Sequence, residues 1–328
     1  MSEPLLAVES LTKRYPITRH WWGGVARSMT AVDAVSCHIA VGETLALVGE
    51  SGSGKTTTGR CILRLIEPDE GEIRYEGRDI RQLTPRAMRA LRQRMQLVFQ
   101  DPWTSLNPRM RVGDIIGEGI DVHRVARGSA RDARGAALLE EVGLRPEAAQ
   151  RWPHEFSGGQ RQRIGIARAL AVDPAFVVCD EAVSALDVSV QAQIINLLRD
   201  LQRQRGLSYL FISHDLAVVR HLAHRVAVMF AGRLVEIAPT AELFAAPQHP
   251  YTRALLDAIP RGVPGQRRPP LPLATVDATA APTDAACRYY DRCANPRRDD
   301  QCRTVRPSLP QAAVRAAACH YPLSSAPT

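Results

Sequence analysis

Three glycines and a lysine are packed into nine residues, Gly49, Glu50, Ser51, Gly52, Ser53, Gly54, Lys55, Thr56 and Thr57, directly after a short apolar run at residues 44–48. The spacing G-x-x-x-x-G-K-[ST], with a strand before it and a helix after it, is the most restrictive feature of the chain. Glycines let the backbone curl so that successive N–H groups face one hollow with no Cβ in the way. The helix expected from residue 56 to about 65 adds its positive N-terminal end. Together they make a cradle for a nucleoside triphosphate, with Lys55 toward the β and γ phosphates and the Thr56 hydroxyl toward a bridging Mg²⁺.

Around this cradle the chain alternates strand-like and helix-like stretches. Residues 5–10 and 31–39 read as strands flanking an insertion, residues 17–30, that contains Trp21, Trp22, Gly23 and Gly24 and is expected to form an exposed loop. Tyr15 is placed to offer a face to an adenine ring, although a lone aromatic serves equally as core. Residues 71–77 alternate like a hairpin strand, and residues 95–99 read as a short buried strand that ends at Gln100. Ligands of open α/β sheets bind at the C-terminal strand edge, so Gln100 is a candidate for Mg²⁺ or the attacking water, while a glutamine there proves nothing by itself.

Residues 103–155 change to helical periodicity, over 112–122 and again over 130–142, and are expected to form a separate helical lobe. Ser157, Gly158, Gly159 and Gln160 then open another helix. Its free N–H groups and the Ser157 hydroxyl form either a simple cap or a second anion site. The apolar run at 175–179 ends in Asp180 and Glu181, acids that a parallel-sheet interior accepts only with work for them or as caps of the next helix. Asp180 suits Mg²⁺, and Glu181 suits the water that attacks the γ phosphate. A further strand, 208–213, ends at His214, which is either structural or a contact to the γ phosphate.

The 328 residues, 45% of them hydrophobic, are enough for one large domain and an appendage. No run reaches the roughly 18 apolar residues of a membrane-spanning helix, and the first residues lack the basic and apolar regions of a signal peptide, so a cytosolic setting is expected. The net charge of +8 is spread over helices and tail without an aromatic-interleaved basic patch, which argues against nucleic acid. Among seven cysteines, Cys37, Cys61 and Cys179 lie in apolar surroundings and read as core. Past a Pro- and Ala-rich linker at 262–286 come Cys287, Cys293, Cys302 and Cys319. Their C-x5-C-x8-C-x16-C spacing lacks the paired C-x2-C of common zinc sites and leaves metal binding and free thiols equally open. Disulfides are disfavoured in the cytosol.

In order and spacing, Tyr15, Gly49 to Thr57, Gln100, Phe156 to Gln160, Asp180-Glu181, Ser184-Ala185-Leu186-Asp187 and His214 resemble the ATP-binding subunit of ABC transporters. The stretches Phe99-Gln100-Asp101-Pro102-Trp103-Thr104-Ser105-Leu106-Asn107-Pro108-Arg109 and Gln248-His249-Pro250-Tyr251-Thr252-Arg253-Ala254-Leu255-Leu256 resemble its oligopeptide/dipeptide importer branch. Two departures stand out: Phe156 takes the place of the usual leucine, and Ala182 that of the proline after Glu181, which removes a fixed φ beside the acid.

The resemblance implies an α/β fold of P-loop NTPase type, with a RecA-like parallel sheet, an antiparallel β subdomain, a helical subdomain near 103–155 and an ATPase domain over 1–258, followed by an extension over 259–328. It implies an ATPase with Mg²⁺ at Thr56, Gln100 and Asp180, Glu181 as base, and head-to-tail sharing of two ATP molecules. In that arrangement Ser157 to Gln160 face the phosphate loop of a second, similar ATPase subunit or of a second copy, and Asp187 communicates between the sites. Implied partners are two membrane permeases and an extracytoplasmic substrate-binding protein, with the subunit peripheral at the cytoplasmic face of the inner membrane. Peptides are the first cargo expected, and nickel, glutathione or oligosaccharides are the alternatives. For Cys287, Cys293, Cys302 and Cys319 it implies a [4Fe–4S] cluster, with zinc as the other metal reading. A soluble, non-transport ABC ATPase is the competing class, but such proteins usually carry two cassettes or a coiled-coil insertion, neither visible here. A P-loop kinase would leave Ser157 to Gln160 without a role.

Overall fold

The structure, a computed structural model, describes residues 3–19, 25–101, 103–259, 286–310 and 314–323. It opens on a long antiparallel hairpin of β1 (Leu6–Arg19) and β2 (Val25–Ile39). Most of the expected 17–30 loop is therefore strand: the ladder runs on through Tyr15↔Met29 and Pro16↔Ser28 to Arg19↔Val25. An antiparallel ribbon satisfies its backbone groups between its own two strands and tolerates polar side chains on a wet face, so the polar composition there did not exclude it. Trp21, Trp22, Gly23 and Gly24 lie outside the described residues.

Next come β3 (Thr44–Val48), α1 (Lys55–Ile62), β4 (Glu70–Tyr75), β5 (Arg78–Asp79), α2 (Pro85–Leu91) and β6 (Met95–Val98). Two helices follow close to their expected limits, α3 (Val112–His123) and α4 (Ser129–Glu141), and then α5 (Gly158–Leu170). The alternation resumes with β7 (Phe176–Asp180), α6 (Val188–Arg205), β8 (Ser208–Ser213), α7 (Leu216–Leu222), β9 (Arg225–Phe230) and β10 (Arg233–Pro239). The described chain closes with α8 (Thr240–Ala245), α9 (Pro250–Asp257), α10 (Asp300–Thr304) and β11 (Ala316–Ala317).

The strands make a four-stranded antiparallel sheet, β2-β1-β4-β5, and a seven-stranded sheet, β11-β10-β9-β3-β8-β7-β6. From β9 to β6 the second sheet is parallel, and β10 and β11 extend it antiparallel. Its inner strands are buried on both faces, which is why β3, β7 and β8 read as continuous apolar runs. Side chains still alternate, and each strand feeds two cores. Ala46, Val177, Tyr209 and Phe211 pack with α3 to α6, whereas Leu45, Leu47, Val178 and Leu210 pack with α1 and the antiparallel sheet. Each fully buried Leu, Ile or Val contributes about 1.5–3 kcal/mol. The helical pair is tied to the sheet layer by Arg205, whose guanidinium holds Glu141 of α4 bidentately at 2.6 and 2.5 Å and Asp173 at 2.9 Å. The arrangement leaves the C-terminal ends of β3, β6, β7 and β8 side by side, and there the chain turns into its polar loops.

Candidate functional site

The loop after β3 is built on glycines that nothing larger could replace. Gly49, Gly52 and Gly54 have φ of 155°, 77° and 105°, in the region disfavoured for residues with a Cβ. A Cβ on Gly49 would collide with the Met229 carbonyl of β9, and one on Gly54 with the Ala31 carbonyl of β2. Lys55 is buried, and its ammonium donates to the carbonyls of Gly49 (2.8 Å) and Glu50 (2.9 Å). Burial lowers the Lys55 pKa, against the pull of Glu181, Asp180 and Glu50. The Ser53 hydroxyl is buried without a hydrogen-bond partner, while Ser51 and Gly52 are exposed at the rim and Thr57 is half-buried on α1. An orphaned hydroxyl, an ammonium held only by carbonyls and a free helix N-terminus are the groups that a phosphate would complete.

Thr56 Oγ1 donates to Asp180 Oδ1 at 2.8 Å, so two of the three expected Mg²⁺ ligands are already in contact. This pair of hard oxygens fits the ion. Burial raises the Asp180 pKa, opposed by the Thr56 hydrogen bond and by Arg60, whose Nη2 lies 3.9 Å away. One residue on, Glu181 has φ of 47° and donates its N–H to Ile212 O at 3.0 Å, which turns its side chain out of the strand. Its Oε2 accepts from Gln100 Nε2 at 2.8 Å and lies 3.6 Å from His214 Nδ1. Lys55, Thr56, Gln100, Asp180, Glu181 and His214 thus meet at one sheet edge, coming from four different strand ends. Ala182, in the position after Glu181, is buried.

The second group stands apart. Ser157 caps α5 in a reciprocal box, accepting from Gln160 N at 3.4 Å while its own N–H donates to Gln160 Oε1 at 3.0 Å. Gly158 abuts Leu186, and Gly159 abuts Val190 so closely that a Cβ would overlap it. Asp187 caps α6, accepting from Val190 N at 3.0 Å and Ser189 Oγ at 2.7 Å; the Ser189 hydrogen bond, then that from Val190, holds its carboxyl below the usual range. Among the described residues no hydrogen bond or ion pair joins Ser157, Gly158, Gly159, Gln160 and Asp187 to the Lys55 group. Tyr15 is half-buried on β1 opposite Met29, two residues before the Ala31 that backs Gly54, with the Lys13 ammonium 5.6 Å from its ring.

Residues beyond the sequence expectations also reach the loop. Tyr251 of α9 accepts from Glu50 N at 2.9 Å, and Arg292 grips the Glu50 carboxylate at 2.9 and 2.7 Å. For Tyr251 the signal was its motif; for Arg292 there was none.

The metal expectation at Cys287, Cys293, Cys302 and Cys319 is overturned. The four line one cavity, but among the described residues no group of three or more His, Cys, Asp or Glu could hold a metal ion. The cavity is small, about 20 Å³, room for about one water. Burial raises the thiols of Cys287, Cys293 and Cys319, the last to about 11. Neither a [4Fe–4S] nor a zinc site is formed among the described residues. The segment is held by hydrogen bonds instead, among them Cys287 N to Cys302 O (3.0 Å), Asn295 Nδ2 to Tyr321 O (2.7 Å) and Tyr321 OH to Asp299 Oδ2 (2.5 Å). Cys61 and Cys179 are core thiols as expected, and Cys37 is half-buried.

Comparison with known proteins agrees with this geometry. Residues 32–184 match the family described as ABC transporter, and residues 235–302 that described as oligopeptide/dipeptide transporter, C-terminal region. The probable peptide ABC transporter ATP-binding protein y4tS of Sinorhizobium fredii is 50% identical over 321 residues, covering 98% of this chain and 90% of that protein. The glutathione import ATP-binding protein GsiA of Escherichia coli K12 is 56% identical over 267 residues, 81% of this chain and 43% of its own length. Among solved structures, the ATP-binding cassette MJ0796 bound to ADP and Pi superposes with a TM-score of 0.64 at 26% identity, over 72% of this chain and 98% of that one. CbiO1 from Clostridium perfringens, part of the ABC transporter complex cbiONQ, gives 0.64 at 25% identity over 74% and 92%. With the phosphate loop, the acid pair at the end of β7 and these relatives in agreement, the chain belongs to the family of ABC transporter ATP-binding proteins, ATPases, in its oligopeptide/dipeptide branch.

Proposed function

We propose that this chain powers an ABC importer of di- or oligopeptides by hydrolysing ATP, with residues 1–258 as ATPase domain, residues 103–155 as its helical subdomain and residues 259–328 as an extension. The observation that carries the reading is the convergence of Lys55, Thr56, Gln100, Asp180, Glu181 and His214 at one edge of the sheet. Gly49 to Thr57 bind the triphosphate through backbone N–H groups and Lys55, and Tyr15 stacks on the base. Thr56, Asp180 and Gln100 would hold Mg²⁺, which when bound neutralises charge on the phosphates. Glu181 orients the attacking water and takes its proton, Gln100 fixes the carboxylate, and His214 contacts the γ phosphate.

The separation of Ser157 to Gln160 from this cluster supports a composite site completed by a second chain. The reciprocal box engages the N–H groups of Ser157 and Gln160, and those of Gly158 and Gly159 suit an anion from outside. Two copies, or one copy and a similar ATPase, then close head to tail on two ATP molecules, with Asp187 between the sites. Permeases and an extracytoplasmic binding protein complete the assembly at the cytoplasmic face of the inner membrane. No described helix is long and apolar enough to cross a membrane. The groove between the sheet layer and α3, with Leu65, Phe99 and Val122 exposed beside Gln100, suits a permease loop. The glutathione importer among the relatives keeps glutathione as an alternative cargo.

Complementation tests the shared site. Ser157→Arg chains keep a working phosphate loop, and Lys55→Ala chains keep a working α5 terminus. Each alone should be inactive, while their mixture regains hydrolysis at one composite site. A mixture as inactive as its parts would count against sharing between copies.

A further inference from the structure

Glu50 is an odd choice for a loop that binds an anion, because its carboxylate opposes the positive field built by the N–H groups, Lys55 and the α1 terminus. The structure engages every polar group it has. Its N–H donates to Tyr251 OH at 2.9 Å, and its carbonyl accepts from Lys55 Nζ at 2.9 Å and Ser53 N at 3.2 Å. Its two carboxylate oxygens take the Arg292 guanidinium in parallel, at 2.9 and 2.7 Å. The guanidinium lies 5.5 Å from the Phe230 ring and 5.7 Å from that of Tyr289. Tyr289 in turn packs edge-on against Phe230 and beside Tyr251 and His249, with centroids 5.2, 5.3 and 5.8 Å away.

Arg292 therefore rests on a rigid aromatic bed rather than reaching out from a free tail. A second contact anchors the same segment: Arg288 bonds Asp33 Oδ2 at 2.6 Å and the Ala231 carbonyl, and the neighbouring Gly232 N–H donates to Ser53 O at 2.9 Å. The C-terminal segment thus touches the Glu50 end of the Glu50–Ser53 turn directly and backs its Ser53 end through the Ala231–Gly232 turn.

We propose that Arg292 is a positioning residue for nucleotide binding, which neutralises Glu50 and fixes the phosphate loop, so that the C-terminal extension sets the ATP affinity of the subunit. The inference rests on the nucleotide reading of the loop. The Glu50 side chain is 42% exposed, so the ion pair adds little to folding. Its effect falls on the ligand instead: an unpaired carboxylate in the cradle repels a triphosphate directly. A bidentate fork also fixes orientation in a way that a point charge cannot.

The test uses the full-length chain and Mg-ATP, with dissociation constant, KM, kcat and melting temperature measured for wild type, Arg292→Gln, Arg292→Lys and Glu50→Gln/Arg292→Gln. Arg292→Gln should weaken binding and raise KM about tenfold with kcat nearly unchanged, a coupling of ordinary size for contacting groups. The double variant should bind more tightly than Arg292→Gln, because no unpaired carboxylate is left. Arg292→Lys, which keeps the charge and loses the fork, should fall between wild type and Arg292→Gln. Wild-type affinity in Arg292→Gln would overturn the proposal, as would a double variant as weak as the single one, which would mean that Arg292 merely holds the extension together. A wild-type chain that does not bind ATP would remove the nucleotide reading itself.

Discussion

Replacing Glu181 by Gln isolates the proton-accepting step from everything else the residue does. The amide keeps the length and the oxygen that Gln100 Nε2 contacts at 2.8 Å, and it inherits the same φ of 47°, so backbone strain is common to both chains and cancels. What disappears is the capacity to take a proton from water. General-base catalysis is worth roughly 10²–10⁴-fold, or about 2.7–5.4 kcal/mol at 1.36 kcal/mol per decade, and kcat should fall by that factor. Binding should move the other way: Glu181 is the foremost carboxylate acting on the Lys55 ammonium, and its loss removes a negative charge from a site that receives a polyanion. ATP affinity is then unchanged or tighter, and ATP-bound dimers accumulate. Phosphate release at saturating Mg-ATP gives kcat, and size-exclusion chromatography with and without ATP gives the dimer. A kcat within threefold of wild type would refute the assignment of the base.

His249 supplies a pH test. It is buried and neutral, its Nδ1 accepts from Tyr251 N at 3.1 Å, and burial lowers its pKa from 6.5 to about 3. The unfolded chain takes up the proton below pH 6.5 and the folded chain does not, so this stability is present above 6.5 and lost as pH falls toward 3, by about 1.4 kcal/mol at pH 5.5. His249→Asn keeps a capping acceptor and should flatten the denaturation midpoint between pH 7.5 and 5.5 relative to wild type; parallel profiles would reject the buried neutral imidazole. Gly159→Ala, whose methyl would overlap Val190, should destabilise the protein by about 1–3 kcal/mol, and Val190→Ala in the same chain should recover part of it. Additive losses in the double variant would show that the two residues do not meet.

The candidate site was legible because each part announces itself within a few residues. Gly49 to Thr57 spell out a backbone shape, and Asp180-Glu181 end an otherwise apolar buried run with two acids. The inner strands β3, β7 and β8 were equally readable, since burial on both faces leaves them apolar, whereas the parallel β9 was not read from the sequence at all. What escaped depends on partners far along the chain: Glu50 meets Tyr251 and Arg292 across 201 and 242 residues, and no local pattern encodes that. The residue 17–30 stretch misled because a wet hairpin and a polar loop have similar compositions. The four late cysteines misled because residue type suggests ligands, whereas lining one cavity does not by itself make a ligand set. The grouping of Ser157 with Leu186 to Val190, away from Lys55, could not be read from one chain's sequence beyond the hint of two anion sites.

The order of strands in the large sheet also dictates when this protein can take shape on the ribosome. β3 lies between β8 and β9, and Thr44 pairs with Tyr209, made 165 residues later. At roughly 5–20 residues per second, that is a wait of about 8–33 s. Through it the hairpin β1–β2 can form, because its strands are neighbours in sequence, but Thr-Leu-Ala-Leu-Val, every residue of which is buried in the finished sheet, has neither of its partners. Bare apolar strands awaiting distant partners fold slowly and associate with one another. The nascent chain is therefore a client for a holding chaperone over that interval, and its yield in cells should follow chaperone supply and growth temperature before it follows the stability of the folded protein.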